Sequence, residues 1–104
     1  MEGSLLRFYV HENQHVHGRP AWEWLLAQAN GLGLRGGSAF RAMAGFGRHH
    51  QLQENHFFEL AGTLTIEVEF VVSDDEATQL LDLVKRERLR LLYVQMPARF
   101  GTVE

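Results

Sequence analysis

The chain has no cysteine and only two prolines in 104 residues. Without cysteine there are no disulfides, no thiol catalysis and no cysteine-ligated zinc, so histidine would carry any soft-metal chemistry. Nor does any run approach the ~20 apolar residues that a membrane helix needs. The start, MEGSLLRFYVHE, lacks the basic and apolar regions of a secretory leader. The expectation is a cytoplasmic protein with no membrane insertion. Positive charge is also scarce: 10 Lys and Arg against 13 Asp and Glu give a net charge of -3, and the basic residues stand singly outside Lys85-Arg86-Glu87-Arg88. With no basic stripe, nucleic acid is not an expected partner.

What is present suits one folded domain spanning residues 1–104. Apolar residues make up 45% and charged residues 22%, far from the composition of disordered chains. A chain of this length buries about two-thirds of its unfolded surface, enough for a single core.

Periodicity supplies the elements. Leu6, Phe8 and Val10 alternate with Leu5, Arg7 and Tyr9, the period of two of a half-buried strand ending near His11. Trp22, Leu25, Leu26 and Ala29 fall on one helical face, with Pro20 in the first turn and Asn30-Gly31 as the left-handed stop. Glycines bound a short strand from Gly37 to Phe46. Leu64, Ile66, Val68, Phe70 and Val72 alternate with Thr63, Thr65, Glu67, Glu69 and Val71, a strand with one apolar and one largely polar face. Ser73-Asp74-Asp75-Glu76 forms a capping box, opening a helix whose apolar face is Ala77, Leu80, Leu81 and Val84. Leu92, Val94 and Met96 alternate with Leu91, Tyr93 and Gln95 in a last strand.

The order β-α-β-β-α-β predicts an α+β, ferredoxin-like fold, an antiparallel sheet with two helices on one face. The other face would carry Leu5, Tyr9, Leu91 and Tyr93, which implies burial by self-association. A long connection, GRHHQLQENHFFELAG, joins the second and third strands.

Two motifs mislead. His11-Glu12-Asn13-Gln14-His15 matches the H-E-x-x-H of zinc peptidases, which needs a helix to bring both histidines to one side. Here the first histidine closes a strand and Gly18 and Pro20 follow, so a solvated turn is expected. Gly31-Leu32-Gly33-Leu34-Arg35-Gly36 matches the dinucleotide fingerprint G-x-G-x-x-G, but it closes a helix and opens a strand, the reverse of the order that presents helix amides to pyrophosphate.

The segment Gly36-Gly37-Ser38-Ala39-Phe40-Arg41-Ala42-Met43-Ala44-Gly45-Phe46-Gly47-Arg48 resembles the second strand of the nitrogen-regulatory PII proteins, where G-F-G-R stands at the base of a long loop. EFVVSDDEATQLLDLV resembles the same family's third strand and second helix. The uncharacterised PII-like family is closer still, with a strand motif T-V-x-R-G-x-x-G-F-G and a Y-x-x-E pattern like Tyr9-Val10-His11-Glu12. Ala42 departs from the glycine usual there.

The resemblance implies a non-enzymatic homotrimeric signalling protein with ligand sites in the clefts between subunits. The ligand it implies is an adenine nucleotide such as AMP or ADP. Ser38 and Val71 would surround the base, Gly45, Phe46, Gly47 and Arg48 the phosphate, and Arg99 matches a tail arginine. The connection Glu87-Arg88-Leu89-Arg90 is far shorter than the lysine-bearing phosphate loop of PII proteins, which argues against triphosphate. A flexible loop over residues 48–61 would engage a partner, a transporter or an enzyme. The alternative is a divalent-metal-binding trimer using loop histidines among His11, His15, His17, His49, His50 and His56. A third reading is an enzyme using His11, Glu12 or His49 as acid or base. Phe57 and Phe58 are expected to anchor the loop or meet a neighbouring subunit.

Overall fold

The structure, a computed structural model, describes residues 1–46, 53–54 and 64–104, with 53–54 as backbone. Four long strands form one sheet: β1 (Glu2–His11), β4 (Gly37–Arg41), β7 (Thr65–Val72) and β8 (Leu92–Arg99), in the order β4-β7-β1-β8. Every neighbouring pair is antiparallel. Helix α1 (Ala21–Gly31) follows β1 and helix α2 (Asp74–Arg86) follows β7, which is the ferredoxin-like arrangement. Shorter pairs are β2 (His15–Val16) with β3 (Arg19–Pro20), and β5 (Ala44–Gly45) with β6 (Gln53–Glu54).

The core sits between the helices and one side of the sheet. Leu6, Phe8 and Val10 of β1 and Ile66, Val68, Phe70 and Val72 of β7 are buried there. Residues opposed across an antiparallel ladder share a face. Phe8 opposes Val68 and Leu6 opposes Phe70, so the alternation of both strands resolves into one shared inner layer. Phe8 and Phe70 meet edge to face, with ring centroids 6.3 Å apart.

The helices cover this layer. Ala77, Leu80 and Val84 of α2 are buried, with Leu81 packed at the margin. The capping box of α2 is formed: Glu76 N–H donates to Ser73 Oγ at 3.1 Å, and Ser73 N–H donates to Glu76 Oε1 at 2.8 Å. In α1 the buried residues are Ala21, Trp24, Leu25 and Ala29, while Trp22 and Leu26 pack only against the edge. The inner stripe is thus rotated from the expected one, with Trp24 rather than Trp22 packed inside. The stop is also displaced: the helix runs through Gly31, and the left-handed residue is Gly33, with φ +80°.

Two further expectations are corrected. The strand from Gly37 to Phe46 is broken, since β4 ends at Arg41 and β5 resumes at Ala44. Tyr93 does not lie on the open face. It opposes Phe8, with ring centroids 6.4 Å apart, and Leu91 packs against the core, so Leu92, Val94 and Met96 face outward instead.

Candidate functional site

The open face of the sheet has an apolar margin and a charged centre. Register places Leu5, Arg7 and Tyr9 of β1 beside Glu67, Glu69 and Val71 of β7, Ser38 and Phe40 of β4, and Leu92, Val94 and Met96 of β8. Leu92 is 68% exposed, Phe40 52% and Val71 42%, so apolar surface lies open along both sheet edges. In the middle, Arg7 Nε donates to Glu69 Oε1 at 2.6 Å and lies 3.5 Å from Glu67 Oε1. Hydrogen bonds to the Tyr9 hydroxyl and to Glu69 push Arg7 above the ordinary arginine value, so it stays cationic throughout the working pH range. Apolar surface surrounding a fixed ion pair is a patterned face.

Two cavities border it. The first, about 460 Å³, is lined by Leu5, Gly37, Ser38, Phe40, Glu69 and Val71, with Arg35 and Phe100 at its rim. Ser38 and Val71 reach it because β4 pairs with β7 and sets Ser38 opposite Glu69, two residues before Val71. Gly37 allows the strand to approach: a Cβ there would stand 2.5 Å from a ring carbon of Phe70. The second cavity, about 940 Å³, lies at the other end of the sheet, between Tyr9, His11 and Gln14 on one side and Leu89, Arg90 and Leu92 on the other. Phe46, 67% exposed, lines it as well.

The expected site residues therefore divide. Ser38 and Val71 share the first cavity, and Phe46 belongs to the second. Gly45 lies in β5, opposite Gln53. Arg99, at the end of β8, lines neither cavity and stands 3.9 Å from Glu2 in an exposed pair. Gly47 and Arg48 lie outside the described residues, as do His49, His50, His56, Phe57, Phe58 and nearly all of the loop 48–61.

The histidine-rich segment has the backbone of a turn and hairpin. His11 ends β1, Glu12 and Asn13 form a turn, and His15 belongs to β2. A strand end and a hairpin cannot give the one-sided spacing of a peptidase helix. Among the described residues no group of three His, Asp or Glu side chains is placed to hold a metal ion. Glu12 instead accepts a 2.6 Å hydrogen bond from Arg41 Nη2. That pair was hidden in the sequence, although both residues lie in the segments that resemble the PII-like motifs. Arg90 was also missed as a lining residue, because nothing local marks a connection as the wall of a cavity.

Comparison with known proteins places the whole domain. The model of the DUF190 family, described as Uncharacterized ACR, COG1993, matches residues 3–96. A UPF0166 protein from Aquifex aeolicus (strain VF5) is 29% identical over 92 residues, covering 88% of this chain and 88% of that protein.

Proposed function

Since the chain belongs to the DUF190 family, we propose that it is a non-enzymatic regulatory protein of the PII-like kind, which assembles as a trimer and binds a small ligand between subunits. One observation carries this reading: Ser38 of β4 and Val71 of β7 line a single cavity that opens at the border of the uncovered sheet face. A cavity walled by Leu5, Phe40, Val71 and Phe100, with Ser38, Arg35 and Glu69 supplying polar groups, suits a flat heterocycle bearing a few hydrogen-bonding atoms. An adenine mononucleotide or dinucleotide such as AMP or ADP is the ligand we favour.

The apolar margin supports assembly. Leu92, Val94, Met96 and Leu5 lie on the face opposite the two described helices, and copies of the same face would remove them from water. Arg7, Glu67 and Glu69 would give such an interface its register. Ligand binding would then shift the loop 48–61 between a disordered and an ordered state, the ordered loop engaging or releasing a partner transporter or enzyme. A ligand shifts that equilibrium only by its difference in affinity for the two states.

Two measurements test the reading on the full chain. Light scattering is expected to return three times the chain mass of 11.9 kDa. Calorimetric titration is expected to give saturable heat with AMP or ADP, reduced by Ser38→Ala and by Arg48→Ala. A monomer in light scattering overturns the assembly. Heat with zinc and none with nucleotide would transfer the function to the histidines.

A further inference from the structure

The β2–β3 hairpin turns on two residues, His17 at φ +50° and Gly18 at φ +79°. Left-handed conformation at both central positions is the tight turn that matches strand twist. Glycine takes it freely, whereas histidine takes it at some steric cost. The His17 side chain reaches across the molecule to α2, where its Nε2 lies 2.9 Å from Oε2 and 3.1 Å from Oε1 of Glu87. Glu87 is the C-cap of α2, two residues before Leu89.

Residues adjoining these two elements line the larger cavity. Gln14, at the foot of the hairpin, lines one wall, and Leu89, Arg90, Leu91 and Leu92 line the other. Gln14 is fixed in turn, since Ala21 N–H donates to its carbonyl at 2.7 Å and its own N–H donates to His11 O at 3.0 Å. The His17–Glu87 contact ties the hairpin to the end of α2 through side chains.

We propose that this contact is a protonation-dependent latch, holding the β2–β3 hairpin against the α2–β8 connection along the rim of the larger cavity. An imidazolium would face a carboxylate together with the carbonyl end of a helix, both negative. Neutral imidazole offers at most one N–H. The protonated ring therefore makes the stronger contact, so the latch is tighter in mild acid and loosens as pH rises. Glu87 faces the ring from α2, with Arg86 and Arg88 beside it in the chain. On the hairpin side Arg19 is engaged by Glu23 at 3.3 Å, and His15 Nδ1 lies 2.8 Å from Asn13 O. The latch is independent of the ligand assigned above.

Hydrogen exchange on the full chain, corrected for intrinsic rates, tests it at pH 5.5 and pH 8. For an exposed ion pair, the protection of residues 14–21 is expected to fall about two- to fivefold from the lower to the higher pH. Residues 87–92 should change in step, with β1 and β7 constant. His17→Gln and Glu87→Gln should each abolish the pH dependence, whereas His15→Gln should retain it. Equal protection at both pH values, a pH dependence that survives Glu87→Gln, or one lost in His15→Gln would overturn the latch.

Discussion

Arg41, the last residue of β4, donates a 2.6 Å hydrogen bond to Glu12 in the turn that follows β1. The strand β7 lies between β4 and β1, so the pair bridges over a strand and ties two elements with no shared ladder. It stands where the chain enters the long connection. Both side chains are at most one-third exposed, which keeps the charge-assisted bond from full screening. Among the described residues Glu12 Oε2 is buried and has no hydrogen-bond partner, so the carboxylate depends on Arg41 for much of its compensation. Glu12→Gln and Arg41→Ala are each expected to lower stability by about 1–2 kcal/mol in urea unfolding. A double-mutant cycle should give a coupling near 1 kcal/mol, and strict additivity would show that the pair contributes nothing.

Two glycines should respond in opposite directions. Gly37→Ala forces a Cβ to 2.5 Å from the Phe70 ring, and overpacking of this kind costs about 1–3 kcal/mol. Gly31, at the end of α1, would place a Cβ in open space. Gly31→Ala should therefore gain up to about 1 kcal/mol from helix propensity. Thermal unfolding of both variants is sufficient, and an unchanged Gly37→Ala would contradict the close approach of β4 to β7.

Ser4 is the buried polar residue of β1, 2% exposed. Its hydroxyl donates to Asp74 Oδ1 at 2.8 Å and accepts from Gln95 Nε2 at 3.0 Å, joining β1, α2 and β8. Ser4→Ala removes both hydrogen bonds, and since Asp74 and Gln95 are exposed and can turn to water it should cost about 0.5–1.5 kcal/mol. Ser73→Ala, which removes the nearby cap, should cost about 1 kcal/mol. Chemical denaturation that shows Ser4→Ala to be neutral would mean that water replaces the hydroxyl.

The proposed assembly makes its own prediction. Leu92→Asp puts a charge on outward-facing apolar surface that is already 68% exposed in the single chain. The monomer's fold should survive by circular dichroism while the trimer dissociates in light scattering, since an unpaired charge is costly only where water is excluded. Loss of folded signal in place of dissociation would assign Leu92 to the core.

Much of the fold was legible because its strands alternate unambiguously. Glu67 and Glu69 between Ile66, Val68 and Phe70 leave one choice of inner face, and the capping box marks the start of α2. The last strand was not legible in the same way. Leu91, Leu92, Tyr93 and Val94 are apolar on both parities, so only the pairing of Tyr93 with Phe8 decides which side is inner. In α1, Trp22 and Trp24 compete for the core, and the packing of the helix on the sheet, which brings Trp24 inside, decides between them. The convergence of Ser38 and Val71 followed from the family resemblance, whereas Arg90 and Glu12 depend on contacts across long stretches of chain that no local pattern carries.

Strand β1 precedes both of its lateral neighbours in the chain, yet it lies between them, flanked by β7 and β8. During translation, at roughly 5–20 residues per second, β1 must therefore wait for both of its lateral partners. Until then both backbone edges of β1 are bare, and α1 is the helix already made that can cover Leu6, Phe8 and Val10. Slow codons or truncation before residue 65 would prolong that interval, and factors that shelter nascent chains would matter most to this protein there.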